Sequence, residues 1–200
     1  SWAQPGGNGA KSMEHLALPQ ALGKVWSVSI SGTSKKVRLA SPPVVAAGRI
    51  YVMDTAARIH AFDVKSGKDV WTVSFGVDGK DRKAAWGGGV SVEGDVLYAT
   101  NGLGDVAALK ASDGSVIWKK RPGGPLRGSP SFGNGNVYAM SSDNQIFALK
   151  ASDGSVEWTE AGATDAAADG AVRDASAGDA SDAGADASAG RDRAAASGSR

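Results

Sequence analysis

The residues able to do chemistry are few and scattered. His15 and His60 are the only histidines, and there is no cysteine. Disulfides, thiolate metal sites and cysteine nucleophiles are therefore excluded together. Two lone histidines without clustered carboxylates do not make a metal site. His60 sits between Ile59 and Ala61 in a strand-like run, so burial between sheets is its expected role. Asp54, Asp63 and Asp143 fall at the ends of such runs, where a carboxylate accepts turn amides. Gly9-Ala10-Lys11-Ser12 has the end of a phosphate loop, but alanine stands where glycine must precede the lysine and no strand leads into it. No Ser/His/Asp set at workable spacing is evident, and no catalysis is expected: catalytic, cofactor-binding and metal residues are read as none.

The elements that would position any site are strands, and they repeat. ALKASDGSVIW at 108–118 returns as ALKASDGSVEW at 148–158, and a weaker copy, AFDVKSGKDVW, stands at 61–71. Three columns align: Ala61, Ala108 and Ala148; Gly67, Gly114 and Gly154; Trp71, Trp118 and Trp158. A tyrosine precedes each alanine by a constant interval, at Tyr51, Tyr98 and Tyr138. Constant offsets inside a unit with a variable loop between units mark a structural repeat. Each unit reads as four antiparallel strands: a first run such as SPPVVAAG, a tyrosine run, an alanine run and a tryptophan run. Asp-Gly or Ser-Gly joins the last two, which suits a tight hairpin with glycine at positive φ. Four-stranded units of this length predict β-propeller blades, with the tryptophans packing between neighbours. Gly87-Gly88-Gly89 is expected to relieve crowding near the propeller axis.

The predicted organisation is an N-terminal extended segment at 1–23 and a partial propeller at 24–162. The propeller comprises a closing strand at 24–30, carrying Trp26, and blades at about 37–75, 85–121 and 126–160. A low-complexity tail fills 163–200. All 13 aromatic residues precede it, and 15 of its 38 residues are alanine. It is expected to be disordered, because it has almost nothing to bury. Its residue types are also those of GC-rich codons read in a wrong frame; a frameshift is expected, with a short paralogue as the alternative. Three blades without caps are expected to form an aggregation-prone arc.

The charge is balanced, with 22 Lys+Arg against 21 Asp+Glu. No basic patch argues for nucleic acid; the longest basic stretch, Lys35 to Arg38, reads as a solvated loop. No apolar run reaches membrane-spanning length.

The core Ala-x-Asp-x-x-x-Gly-x-x-x-Trp of AFDVKSGKDVW resembles the PQQ-like propeller repeat, although Lys110 and Lys150 stand where the motif prefers Asp. With Trp2-Ala-Gln-Pro-Gly-Gly, His15-Leu-Ala-Leu, Val25-Trp26-Ser and Asp143-Asn144-Gln145, the chain is similar over about 2–160 to the BamB family of outer-membrane assembly lipoproteins. The resemblance implies an eight-bladed, non-enzymatic scaffold on the periplasmic face of the outer membrane. Its partners would be the POTRA repeats of BamA and other barrel-assembly components, and its membrane contact a lipid anchor that this sequence does not contain. A quinoprotein dehydrogenase, or its remnant, is the alternative. That class holds its quinone with calcium, acidic and amide ligands, a catalytic Asp and usually paired cysteines. A ligand-sensing propeller is a third reading. Leu126-Arg127-Gly128 is expected to be an exposed loop without an assigned partner role.

Overall fold

The computed structural model describes residues 2–7, 21–32, 41–75 and 85–162. It contains twelve strands in three four-stranded antiparallel sheets, each formed by consecutive strands in simple up-and-down order. The first sheet holds β1 (Val44–Ala46), β2 (Arg49–Met53), β3 (Arg58–Asp63) and β4 (Asp69–Ser74). The second holds β5 (Gly88–Glu93), β6 (Val96–Asn101), β7 (Val106–Lys110) and β8 (Val116–Lys120). The third holds β9 (Ser131–Gly133), β10 (Asn136–Met140), β11 (Gln145–Lys150) and β12 (Val156–Ala161). These are three blades of a β-propeller, and the architecture expected from the repeat is the one observed.

The constant offsets in the sequence are cross-strand registers. Tyr51 pairs with Ala61, and Ala61 with Trp71. Tyr98–Ala108–Trp118 and Tyr138–Ala148–Trp158 form the same row in the other blades. Alanine in the middle of the row is too small to separate the rings beside it. Tyrosine and tryptophan therefore meet across it at 5.8, 6.2 and 6.0 Å between centroids, tilted by 42–47°. That tilt suits the aromatic quadrupole better than a face-to-face sandwich.

The hairpin after each alanine strand is longer than a two-residue turn. The Asp63 N–H donates to Lys68 C=O, and the Gly67 N–H donates to Asp63 C=O, leaving a four-residue loop. Lys110/Ser115 and Lys150/Ser155 close the same loop, which ends in Gly114 or Gly154. The glycines have φ of +68°, +76° and +71°, as the sequence predicts. Between the first two strands, Ala47-Gly48 and Asn134-Gly135 are both at positive φ, the geometry of a type I′ turn.

The core lies between the sheets. One apolar layer joins blades 1 and 2 through Tyr51, Ile59, Phe75, Val90, Leu97 and Leu109. Another joins blades 2 and 3 through Tyr98, Val106, Trp118, Leu126, Val137 and Phe147. The middle blade, covered on both faces, has β5 and β7 almost wholly buried, whereas every residue of β12 is exposed.

Two expectations need correction. Residues 24–30 form no strand: a strand requires a backbone ladder, and none reaches this segment among the described residues. Leu126 is not an exposed loop residue but is fully buried in the second layer, and only Arg127 and Gly128 after it are exposed. His15, Lys35 to Arg38, Gly9 to Ser12 and the tail at 163–200 lie outside the described residues.

Candidate functional site

The repeat columns build a joint between blades. The Trp71 indole lies over Gly114, so that a Cβ on that glycine would meet the ring at 2.9 Å. Its Nε1–H donates to Ala111 C=O at 3.1 Å. Trp118 treats Gly154 and Ala151 C=O of the third blade in the same way, with a 2.9 Å hydrogen bond. Trp26, in the segment without a strand, does so to Gly67 and Val64 C=O of the first blade, at 3.0 Å. Each glycine therefore serves twice: it takes the left-handed conformation that ends the loop, and it leaves room for the preceding indole. Trp158 is 43% exposed, and no glycine among the described residues lies over it.

Polar caps recur at the loop after the second strand, with different chemistry in each blade. Asp54 Oδ1 accepts the N–H groups of Ala56 and Arg58 at 2.8 and 3.0 Å. Asn101 Oδ1 accepts those of Leu103 and Asp105, both at 3.0 Å. Ser141 Oγ accepts that of Gln145 at 3.1 Å. In blade 2 the buried Asp105 also pairs with Arg121 Nε at 2.8 Å and receives a hydrogen bond from Asn101 Nδ2.

The blade 1 cap is the richest cluster. Asp54 pairs with Arg58 Nε at 2.8 Å and His60 Nε2 at 3.2 Å. Burial alone would push the Asp54 carboxyl up; the hydrogen bonds from Arg58, His60 and Ala56 together outweigh it and hold the group below its ordinary value. His60 Nδ1 meets Thr72 Oγ1 at 3.1 Å, and the imidazole stacks on Phe62. A hydroxyl, an imidazole and a carboxylate thus line up where the sequence offered no such set. The Thr72 hydroxyl, however, donates to Asp69 at 3.1 Å. With its proton directed there, Thr72 is not poised as a nucleophile. Among the described residues, the hydrogen-bond and ring partners of His60 belong to its own blade. Arg58 also reaches Ser31 Oγ, and Thr55 Oγ1 donates to Gly32 C=O, tying residues 31–32 to this cap.

Asp63 binds the turn amides of Lys65 and Ser66 as predicted. Blades 2 and 3, with lysine at that column, use Asp113 and Asp153 instead, which accept from Ser115 and Ser155. The hydroxyls and amides of those serines hold all three carboxyls below the ordinary Asp value. Gly88 and Gly89 relieve crowding as expected: a Cβ would lie 2.1 Å from Thr100 C=O at the first and 2.0 Å from Ser129 Oγ at the second. Arg127 stacks over Trp86 at 4.0 Å and donates to its C=O. Among the described residues, no three His, Asp or Glu side chains gather to hold a metal ion.

Sequence reasoning missed the role of the N-terminal segment. Trp2 exchanges backbone hydrogen bonds with Val45, Ala3 C=O accepts from Val92 N–H, and the Gln4 amide pairs with Phe132.

Blades and joints together define a propeller of tandem four-stranded repeats. The profile of the family described as "Outer membrane protein assembly factor BamB" matches residues 17–82 and 55–192, and the chain belongs to that family. It is 30% identical over 114 residues to the outer membrane protein assembly factor BamB of Salmonella typhimurium, covering 56% of this chain and 29% of the relative. It is 32% identical over 98 residues to a quinoprotein ethanol dehydrogenase of Pseudomonas aeruginosa, covering 48% of this chain and 16% of that protein. The chain thus spans less than a third of the length of these relatives. Among solved structures, a quinohemoprotein alcohol dehydrogenase from Comamonas testosteroni superposes with a TM-score of 0.65 at 23% identity, over 80% of this chain and 27% of that one. BamB from Moraxella catarrhalis superposes at 0.51 and 18% identity, over 64% of this chain and 39% of that one. Both likenesses concern the fold.

Proposed function

We propose that the chain is part of a non-enzymatic scaffold in outer-membrane β-barrel assembly, acting at the periplasmic face of the outer membrane through propeller loops. The observation that carries this reading is the family match across the blades. The structure supports it through the tryptophan joints, which make the blades a rigid support for rim loops and so lower the ordering cost of binding. The partner is a protein of the barrel-assembly machinery, with the POTRA repeats of BamA as the first candidate. The half-buried Trp86 and the exposed Arg127 stacked on it form an aromatic–guanidinium pair of the kind enriched at binding hot spots. The test is a pull-down with purified POTRA repeats. Retention that is weakened by Arg127→Glu supports the reading; no retention by a chain with intact strand signal rejects it for this part of the protein.

A second reading, a quinoprotein-type enzyme or its remnant, is favoured by the similarity to a quinoprotein ethanol dehydrogenase. The residues present fit it poorly. The indole N–H groups of Trp26, Trp71 and Trp118 are already bonded to carbonyls of the next blade, and the sequence has no cysteine pair. Saturable quenching of tryptophan fluorescence by added pyrroloquinoline quinone with calcium would favour this reading over the scaffold.

A further inference from the structure

The first strands of the blades, β1, β5 and β9, each pair with a sheet neighbour on one side only. They converge: β5 lies against both β1 and β9, and Ser41 just before β1 reaches Ser129 just before β9, Oγ to Oγ, at 3.3 Å. Val45, Val92 and Phe132 hold equivalent places on these strands, each opposite the residue before the repeat tyrosine. Their N–H groups point away from their own sheets, and three successive residues of the N-terminal segment receive them. Val45 N–H donates to Trp2 C=O and Val92 N–H to Ala3 C=O, both at 2.7 Å. Phe132 N–H donates to Gln4 Oε1 at 3.3 Å, while Gln4 Nε2 donates back to Phe132 C=O at 3.2 Å. The buried Gln4 amide thus copies the reciprocal pairing that Trp2 makes with its backbone, where Trp2 N–H donates to Val45 C=O at 2.6 Å. A turn held by Gly7 N–H to Gln4 C=O, with Gly6 and Gly7 at positive φ, carries the chain away.

We propose that the converging edges of β1, β5 and β9 form a binding site for an extended polypeptide, and that residues 2–7 are its resident occupant. On the blade side these contacts are made by backbone groups, so the site reads an extended backbone with two successive carbonyls and is selective at one place: a carboxamide side chain facing Phe132. This is strand addition spread over three sheets. The resident segment wins by being attached, because tethering gives it a local concentration on the order of millimolar. A free peptide binds when that segment is weakened or outnumbered. The site shares no hydrogen-bonding residue with the Trp86–Arg127 pair proposed to face an assembly partner, and either can fail without the other.

The test uses a fluorescein-labelled peptide of residues 1–9, added to the full chain and to the full chain carrying Trp2→Pro and Gln4→Ala. These substitutions remove the donor to Val45 C=O and the amide facing Phe132 while leaving the blades unchanged. The double variant is expected to bind the peptide at least tenfold more tightly than the unaltered chain, and a Gln4→Ala peptide at least fivefold more weakly than the native one. Equal affinity for both chains, or no binding to a double variant with intact strand circular dichroism, overturns the proposal. Should the double variant lose its strand signal, excess peptide is added to the unaltered chain and amide exchange is followed at Trp2. Faster exchange supports displacement of the resident segment; unchanged exchange at saturating peptide overturns it.

Discussion

At the residue scale, glycine has two distinct duties that mutation can separate. Gly94 and Gly114 both have positive φ, but a Cβ meets nothing within 4 Å at Gly94 and the Trp71 ring at 2.9 Å at Gly114. Gly94→Ala should therefore cost only backbone strain, about 1 kcal/mol. Gly114→Ala should cost that plus displacement of a packed indole, about 3 kcal/mol or more. Urea melts of the two variants decide it; equal losses would mean that the glycine joint carries no packing constraint. Ser91 offers the opposite change. Its buried Oγ has no hydrogen-bond partner among the described residues, and Val44 holds the equivalent place in blade 1. Ser91→Ala should raise stability by about 1 kcal/mol, the desolvation cost of an unpaired hydroxyl, read as a higher urea midpoint at unchanged slope. The alanine–glycine–tryptophan columns were legible in the sequence because they recur. The pairing of each tryptophan with the glycine of the following unit was not, because loops of unequal length separate them.

At the scale of the element, the cap after the second strand couples folding to pH. The folded-state pKa of Asp54 is depressed, so its contribution to stability is present above the ordinary aspartate value and disappears as pH falls through the lowered one. Below about pH 4, the reference value for an exposed aspartate, stability should decline, and the decline should be shallower in Asp54→Asn. Urea midpoints of both proteins at pH 6, 4 and 2.5 test this; parallel curves would assign the acid limb to Asp63, Asp113 and Asp153, which are depressed in the same direction but sit in solvent. Strand positions were readable from runs of β-branched and aromatic residues opened by glycine. The cap network was not, because Asp54, Asn101 and Ser141 do the same work with different side chains and leave no repeated letter. Gln4 escaped for a related reason: its partner Phe132 is 128 positions away, and nothing local distinguishes it from any polar residue.

At the scale of the whole molecule, stability resides in the layers between blades. Trp118, 8% exposed and seated on Gly154, should cost about 3–5 kcal/mol when changed to alanine. Trp158, 43% exposed and retaining only its Tyr138 contact among the ring pairs, should cost about 1 kcal/mol. Comparing the two melts measures one joint against an open position in the same chain. A similar loss at both would show that the tryptophans act inside their own blades rather than between them.

The joint also has a direction. Every unit sends an indole forward and offers a glycine and a carbonyl behind, so each carries both halves of the fastening. A copied unit spliced in after a tryptophan would bring both halves of the fastening with it. Such a chain can lengthen by gene duplication one repeat at a time, and the eleven-residue phrase shared almost letter for letter by residues 108–118 and 148–158 is the trace such a copying event would leave.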